Sequence, residues 1–253
     1  MTAMPQRDPY QGMLQIVRFN WPKYVAAMTV VGAALCAGPQ LSPAVCAILF
    51  AAVFPAACWI LSSLLVSHYI YDRSHLYELK WLARALRHRP KRWLNVHCGL
   101  DETSPMLSAV FPESAGEIAD IFDPCVMTES SIRRAREAQA AGARSTRVQF
   151  NELSFSAGAF DEVFCIFAAH ELRHHADRVR LFAEIERVLS PAGDFVLVEH
   201  LRDWRNFLAF GPGFLHFHSW RAWLRAADEA RLALRVEFRV TPFVRVAIFG
   251  RVQ

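Results

Sequence analysis

From residue 93 onward, the apolar positions follow two alternating rhythms. Short apolar or alternating runs at 93–98, 117–122, 146–150, 163–169 and 195–198 predict strands. Between them, helical spacing predicts a helix over 128–141 with Thr128 as its N-cap. It predicts another with Val179, Phe182, Ile185 and Val188 along one face. Residues 107–111 fit a helix after the first strand. The run Ser190-Pro191-Ala192-Gly193 predicts a break before strand five. A helix over 220–230 and two strands, 232–240 and 244–252, close the chain, the strands forming a hairpin about Thr241-Pro242. Leu76, Leu79, Leu82, Ala83 and Leu86 share a face, which predicts a helix over 72–89. Alternating strands and helices imply an α/β doubly wound, Rossmann-like sheet, here of seven strands with an antiparallel closing hairpin.

The amino-terminal part has a different pattern. Residues 24–71 carry no Asp, Glu, Lys or Arg. A spanning helix needs only ~20 apolar residues, and Gly38-Pro39-Gln40-Leu41-Ser42-Pro43 cuts the run with turn signals. Two transmembrane helices are expected, about 24–38 and 44–66, the second kinked at Pro55. The apolar stretch is too long for a cleaved signal peptide. Residues 1–71 are thus expected to form an anchor and 72–253 a separate domain. Arg7, Arg18 and Lys23 precede the hairpin, Arg73, Lys80, Arg84, Arg87, Arg89, Lys91 and Arg92 follow it, and the turn has no charge. By the positive-inside rule, the N-terminus and the domain lie on the cytoplasmic side of an inner (cytoplasmic) membrane. Trp21, Tyr24, Tyr69 and Tyr71 fall where interfacial aromatics belong.

Charge and cysteine content change this picture little. The net charge of +4 is mild, and the basic cluster after the second span suits anionic headgroups better than nucleic acid. Cys36, Cys46 and Cys58 lie in the spans, while Cys98, Cys125 and Cys165 are scattered and form no CxxC pair. This excludes a zinc knuckle or dithiol redox motif and fits a reducing compartment.

The segment from Phe160 to Glu199 carries the most specific signal. A Phe-Asp turn enters strand four, His170-Glu171 closes it, and a helix ending in Arg187-Val-Leu-Ser-Pro-Ala-Gly193 leads into strand five. This resembles the second half of the core of class I S-adenosylmethionine-dependent methyltransferases, and the whole of 72–252 looks like that fold. The anchor resembles a less common membrane-bound branch. The glycine-rich cofactor loop of that family corresponds to Leu94-Asn95-Val96-His97-Cys98-Gly99-Leu100-Asp101, in which only Gly99 is kept.

The resemblance implies S-adenosylmethionine as cofactor, with Asn95, His97, Gly99, Asp101 (or Glu102, for the ammonium), Asp123, Asn151 and Ala169 along its site. Asp123 stands where the family has a ribose-binding acid, with Asp120 as competitor, and Asn151 where a polar residue faces adenine. His170, Glu199 and His200 are the candidate catalytic groups, able to orient substrate or take a proton. Tyr71, Tyr77, Arg202, Asp203, Asn206 and His216 are candidate substrate groups. They lie just after the anchor or beyond strand five, where doubly wound sheets bind ligands. Methyl transfer itself requires no metal, so none is expected.

The acceptor is read as a small molecule. The anchor favours a lipid or quinone, whereas the polar segment after strand five favours a small zwitterion such as an imidazole or thiol metabolite. Two other readings stand beside this one. His170-Glu171-Leu172-Arg173-His174 is a literal HExxH, the signature of a zinc protease, which needs one helix carrying both histidines. The degenerate loop also fits a non-catalytic scaffold. Gly32, Ala33, Ala34, Ala51, Ala52, Ala56 and Ala57 permit close helix packing, and a homodimer through the transmembrane helices is expected.

Overall fold

A computed structural model describes residues 7–139 and 145–252. Two long antiparallel helices come first: α1, Gln11–Ala37, and α2, Pro43–His68, joined by a 3-10 turn at Gly38–Gln40. A π-helical turn, Tyr69–Arg73, and a single short helix α3, Leu82–Ala85, lead into the sheet. Then follow β1 Arg92–His97, α4 Thr103–Val110, β2 Ala115–Asp120, α5 Ser130–Glu137, β3 Thr146–Arg147, β4 Phe160–Ile166, α6 His175–Val188 and β5 Leu189–His200. The chain closes with α7 Trp204–Phe210, α8 Trp220–Glu229, β6 Leu232–Thr241 and β7 Val244–Arg251.

The seven strands run in the order β3-β2-β1-β4-β5-β7-β6. β1 to β5 pair in parallel, and β7 is antiparallel to both β5 and β6. Successive strand residues point to opposite faces, so each strand feeds two cores. Leu94, Val96, Val163, Cys165, Phe195 and Leu197 pack with Phe182, Ile185 and Trp223 on one face. Trp93, Phe164, Ile166, Val196 and Val198 pack with Ile70, Leu76, Leu79 and Leu82 on the other. Burial on both faces explains why these strands read as nearly continuous apolar runs.

Four expected elements differ. The helix over 72–89 reduces to α3. Leu79 adopts φ 51, and the buried leucines reach the second core through irregular turns instead. The strand over 146–150 keeps only Thr146–Arg147 as strand, while Val148 and Phe150 remain buried. The break at 190–193 lies within β5, as a register shift opposite Phe160 and Glu162. The helix over 128–141 starts at Ser130, with Glu129 rather than Thr128 at its N-cap, and its last two positions lie outside the described residues.

Among the described residues, one helix, Pro43–Arg73, is long and apolar enough to cross a membrane. The hairpin forms, but α1 starts well before the apolar run and carries Arg18 and Lys23. Ile48, Phe54, Leu61 and Leu65 of α2 are exposed.

The hairpin is fastened to the sheet domain at two places, both on the side away from its turn. The Asp72 side chain is buried and caps α1, accepting from the backbone N–H groups of Gly12 at 2.6 Å and Met13 at 3.1 Å, which suits a carboxylate at a helix N-terminus. A Cβ on Gly12 would sit 2.3 Å from the Cβ of Tyr71, so only glycine permits this approach. Further along α2, Trp59 packs edge-on against Phe207 at 5.4 Å. It also lies over Gly211, whose φ of +53 and 2.7 Å clearance exclude a side chain.

Candidate functional site

The carboxyl ends of β1, β4 and β5 open into one cavity of about 650 Å³, within the ~300–1,000 Å³ range of small-molecule sites. Its wall at β1 is His97, Cys98, Gly99 and Leu100, continued by Glu102 and Thr103. His97 is buried and both its ring nitrogens lack a partner. Glu129, Ser131, Ile132 and Ala135 from the start of α5 face the same space.

The residues before and at the start of α1 grip this loop. Glu102 Oε1 accepts from Arg7 Nη1 at 2.8 Å, Gln11 Nε2 at 2.7 Å and Gln15 Nε2 at 2.9 Å. The Arg7 guanidinium also lies 4.0 Å over the Tyr77 ring.

The ends of β4 and β5 supply a histidine-rich floor. His170, in a 3-10 turn after β4, pairs through Nδ1 with Glu199 Oε2 at 2.8 Å, and its backbone N–H donates to Glu199 Oε1 at 3.2 Å. Burial alone would hold this imidazole neutral. The charge and hydrogen bond of Glu199 outweigh it and lift the pKa to about 9. Next to it, burial raises the Glu171 carboxyl above its ordinary value. His216 comes from the 3-10 segment Gly211–His216, and burial together with the charge of His170 lowers its pKa to about 3.

His200 ends β5. Its Nδ1 lies 3.1 Å from the Phe243 carbonyl, which as an acceptor fixes the proton on that nitrogen. Nε2 is then the acceptor for the Tyr71 hydroxyl at 2.8 Å. Burial, reinforced by the charge of His170, lowers the pKa of His200 to about 4 and keeps it neutral. Its ring stacks on Phe167 and Phe217, with centroids 5.1 and 4.8 Å away.

The cavity continues past Tyr71 and Phe210 into the groove between α1 and α2, lined by Ile16, Phe19, Tyr24, Ala52, Ala56, Trp59 and Ile60. One site thus has a polar floor at the sheet and an apolar mouth in the hairpin.

Of the residues expected at the site, His97, Gly99, Tyr71, Tyr77, His170, His200 and His216 line this cavity. Glu199 stands behind His170. The others do not line it. Asn95 is buried and donates to Thr103 Oγ1 at 2.9 Å and Ser104 Oγ at 2.8 Å. Asp101 caps α4 through Ser104 N at 3.0 Å, so of these two neighbours Glu102 is the one on the cavity. Asp123 lies three residues past β2 and accepts from Cys125 N at 2.8 Å in a tight turn. Its competitor Asp120 is held by both terminal nitrogens of Arg136 at 2.8 and 2.7 Å. Asn151 is an exposed turn residue, and Ala168 lines the cavity in place of Ala169. Arg202 donates to the carbonyls of Phe217 and Leu215, Asp203 caps α7 and pairs with Arg239, and the buried Asn206 donates to Phe243 O. Arg202 thus holds the segment that carries His216, while Asp203 and Asn206 fix α7 before it.

Glu129 and Ser131 were not singled out from sequence. A polar run at a helix start beside strand two was the available signal. The HExxH reading is corrected. His170 and Glu171 lie in a 3-10 turn, His174 is an exposed residue preceding α6, and the second histidine near Glu171 is His216.

Residues 95–197 match a family model described as a methyltransferase domain. A protein named demethylmenaquinone methyltransferase from Thermus thermophilus is 32% identical over 126 residues, covering 48% of this chain and 54% of the relative. Another of that name, from Deinococcus radiodurans, is 32% identical over 129 residues, covering 46% of each. The chain therefore spans about half the length of the curated relatives it matches. Among solved structures, a SAM dependent methyltransferase from Aquifex aeolicus superposes with a TM-score of 0.53 at 16% identity, covering 77% of this chain and 97% of that one. This last likeness is one of fold.

Proposed function

We propose that the protein is a membrane-anchored, S-adenosylmethionine-dependent methyltransferase whose acceptor is a lipid-soluble small molecule of the quinone type, a reading supported by the match of residues 95–197 to a methyltransferase-domain model. The observation that carries this reading is the continuity of the cavity. It runs from the β1 loop, over the histidine floor, into the apolar groove between α1 and α2. An acceptor with a hydrophobic tail fits that path, with its tail in the hairpin and its reactive ring at the floor. The names of the two curated relatives agree with a quinone acceptor.

The residues at the β1 end suit the cofactor. Gly99 brings backbone to the cavity wall, and the buried, unpartnered nitrogens of His97 offer hydrogen bonds there. Glu102 and Glu129 supply carboxylates for an ammonium and for hydroxyls.

When bound, the cofactor supplies an electrophilic methyl group on a sulfonium. The protein's share of the work is alignment and exclusion of water. Phe167, Phe210 and Phe217 wall the floor with aromatic surface. His200, neutral and fixed by Phe243 O, orients the Tyr71 hydroxyl over the acceptor. His170, Glu171 and His216 handle charge and protons on the opposite side.

We read Pro43–Arg73 as the membrane span, with α1 packed beside it and the domain on the cytoplasmic face. Two copies pair through the small residues of the hairpin.

Incubating the detergent-solubilised chain with methyl-labelled cofactor tests the acceptor. Label should pass into a solvent-extractable product from a prenylated hydroquinone. Transfer only to a water-soluble thiol or imidazole would overturn the lipid acceptor.

A further inference from the structure

We propose that His170, Glu171 and His216 form a binding site for one divalent cation of the zinc class, facing the cavity. One ligand atom from each of the three lies within 4.8 Å of the other two. His170 Nε2 is 3.6 Å and His216 Nε2 3.9 Å from Glu171 Oε1. Ligands placed ~2.0–2.2 Å from a tetrahedral zinc stand roughly 3.4 Å apart, so these atoms are nearly at coordination spacing. His216, with 30% of its side chain exposed, has the freedom to close the remaining gap.

Three further observations point to a ligand here. Glu171 is only 8% exposed, yet its Oε2 has no hydrogen-bond partner. A buried carboxylate oxygen left open is costly unless something binds it. The Glu199 carboxylate engages His170 Nδ1 at 2.8 Å, which turns Nε2 toward Glu171. A carboxylate behind a histidine in this way fixes the tautomer that a metal requires. Finally, the Arg173 guanidinium bonds the carbonyls of both His170 and His216. It ties the turn after β4 to the segment that carries the third ligand, so the site is held from both sides.

Two imidazoles and one carboxylate suit zinc or a neighbouring late first-row ion and not magnesium, which prefers all-oxygen sites. Three protein ligands leave positions open toward the cavity, as in catalytic rather than structural sites. An acceptor hydroxyl, thiol or imidazole bound there would be held as its anion, the form that attacks a methyl group. The site itself does not depend on the methyltransferase reading, because it can be measured without turnover.

The experiment uses the full chain in detergent, stripped with chelator and titrated with zinc and, separately, cobalt(II). One ion per chain should bind, and the cobalt form should show visible absorption bands of low-symmetry four- or five-coordination. His216→Ala and Glu171→Gln should each weaken binding at least tenfold while retaining the wild-type thermal unfolding curve of the stripped protein. His174→Ala, at the other histidine of the HExxH string, should bind as wild type. Absence of stoichiometric binding would overturn the proposal and leave a hydrogen-bonded cluster only. Binding lost in His174→Ala but kept in His216→Ala would overturn it in favour of the HExxH ligand set. If His216→Ala fails to fold, His216→Gln with the cobalt spectrum decides the question, since an unchanged spectrum excludes His216 as ligand.

Discussion

The Tyr71 hydroxyl donates to Nε2 of His200 at 2.8 Å, so the end of the apolar helix and the end of β5 meet over the cavity. Tyr71 also packs edge-on against Phe167, with centroids 5.9 Å apart. The end of the apolar segment Pro43–Arg73 is thereby part of the site wall.

Tyr71→Phe keeps the ring and removes this bond, leaving His200 Nε2 buried without a donor. The expected cost is about 1–3 kcal/mol of stability, read as a lower unfolding midpoint in detergent. The turnover number should fall with little change in cofactor affinity, because His97 and Gly99 are untouched.

His200 should make the protein acid-sensitive. Its pKa is lowered from 6.5 to about 4 in the folded state, so the unfolded chain binds the extra proton. Stability is full above about pH 6.5 and falls as pH drops toward 4, by at most about 3 kcal/mol from this group. His200→Gln should lose less stability than the wild type between neutral and acidic pH, as measured by thermal unfolding across that range.

The Glu102 carboxylate joins the start of α1 to the loop after β1 through Arg7, Gln11 and Gln15. Glu102→Ala should release the start of α1, seen as faster hydrogen exchange over residues 7–19. It should also weaken cofactor binding by roughly ten- to a hundredfold, consistent with loss of about 1.5–3 kcal/mol in charged hydrogen bonds. Unchanged exchange would mean that Asp72 alone holds the helix.

Much of this was legible in the chain because the sheet is buried on both faces. Leu94 and Val96, Val163 and Cys165, and Phe195 and Leu197 fill one core while their neighbours fill the other, so the strands appear as apolar runs. The closing hairpin reads as clearly. The stretch 72–89 did not, because leucines at helical spacing also suit an irregular chain laid on a sheet face. Nor did the partners of Glu171. His174 is near in sequence and exposed, whereas His216 arrives only because Arg173 and Arg202 fold the segment after β5 back over it. Asp123 illustrates the same limit. A carboxylate near a strand end is visible in sequence, but a tight turn to Cys125 is not.

Small residues on the hairpin predict self-association. Gly32 has open space around it, and apolar residues such as Ile48 and Phe54 remain exposed. Native mass spectrometry from mild detergent should find a dimer, and Gly32→Leu should shift it toward monomer by blocking close helix approach. A monomer at all protein concentrations would reduce the hairpin to a tether.

Cofactor binding tests the account most directly. Titration calorimetry of the full chain in detergent should give one site per chain for S-adenosylmethionine and for S-adenosylhomocysteine, with dissociation constants in the micromolar range. Gly99→Val should abolish both by filling the cavity wall without altering the unfolding midpoint by more than a few degrees. No heat and no thermal shift with either ligand, in protein that unfolds cooperatively, would contradict the methyltransferase assignment.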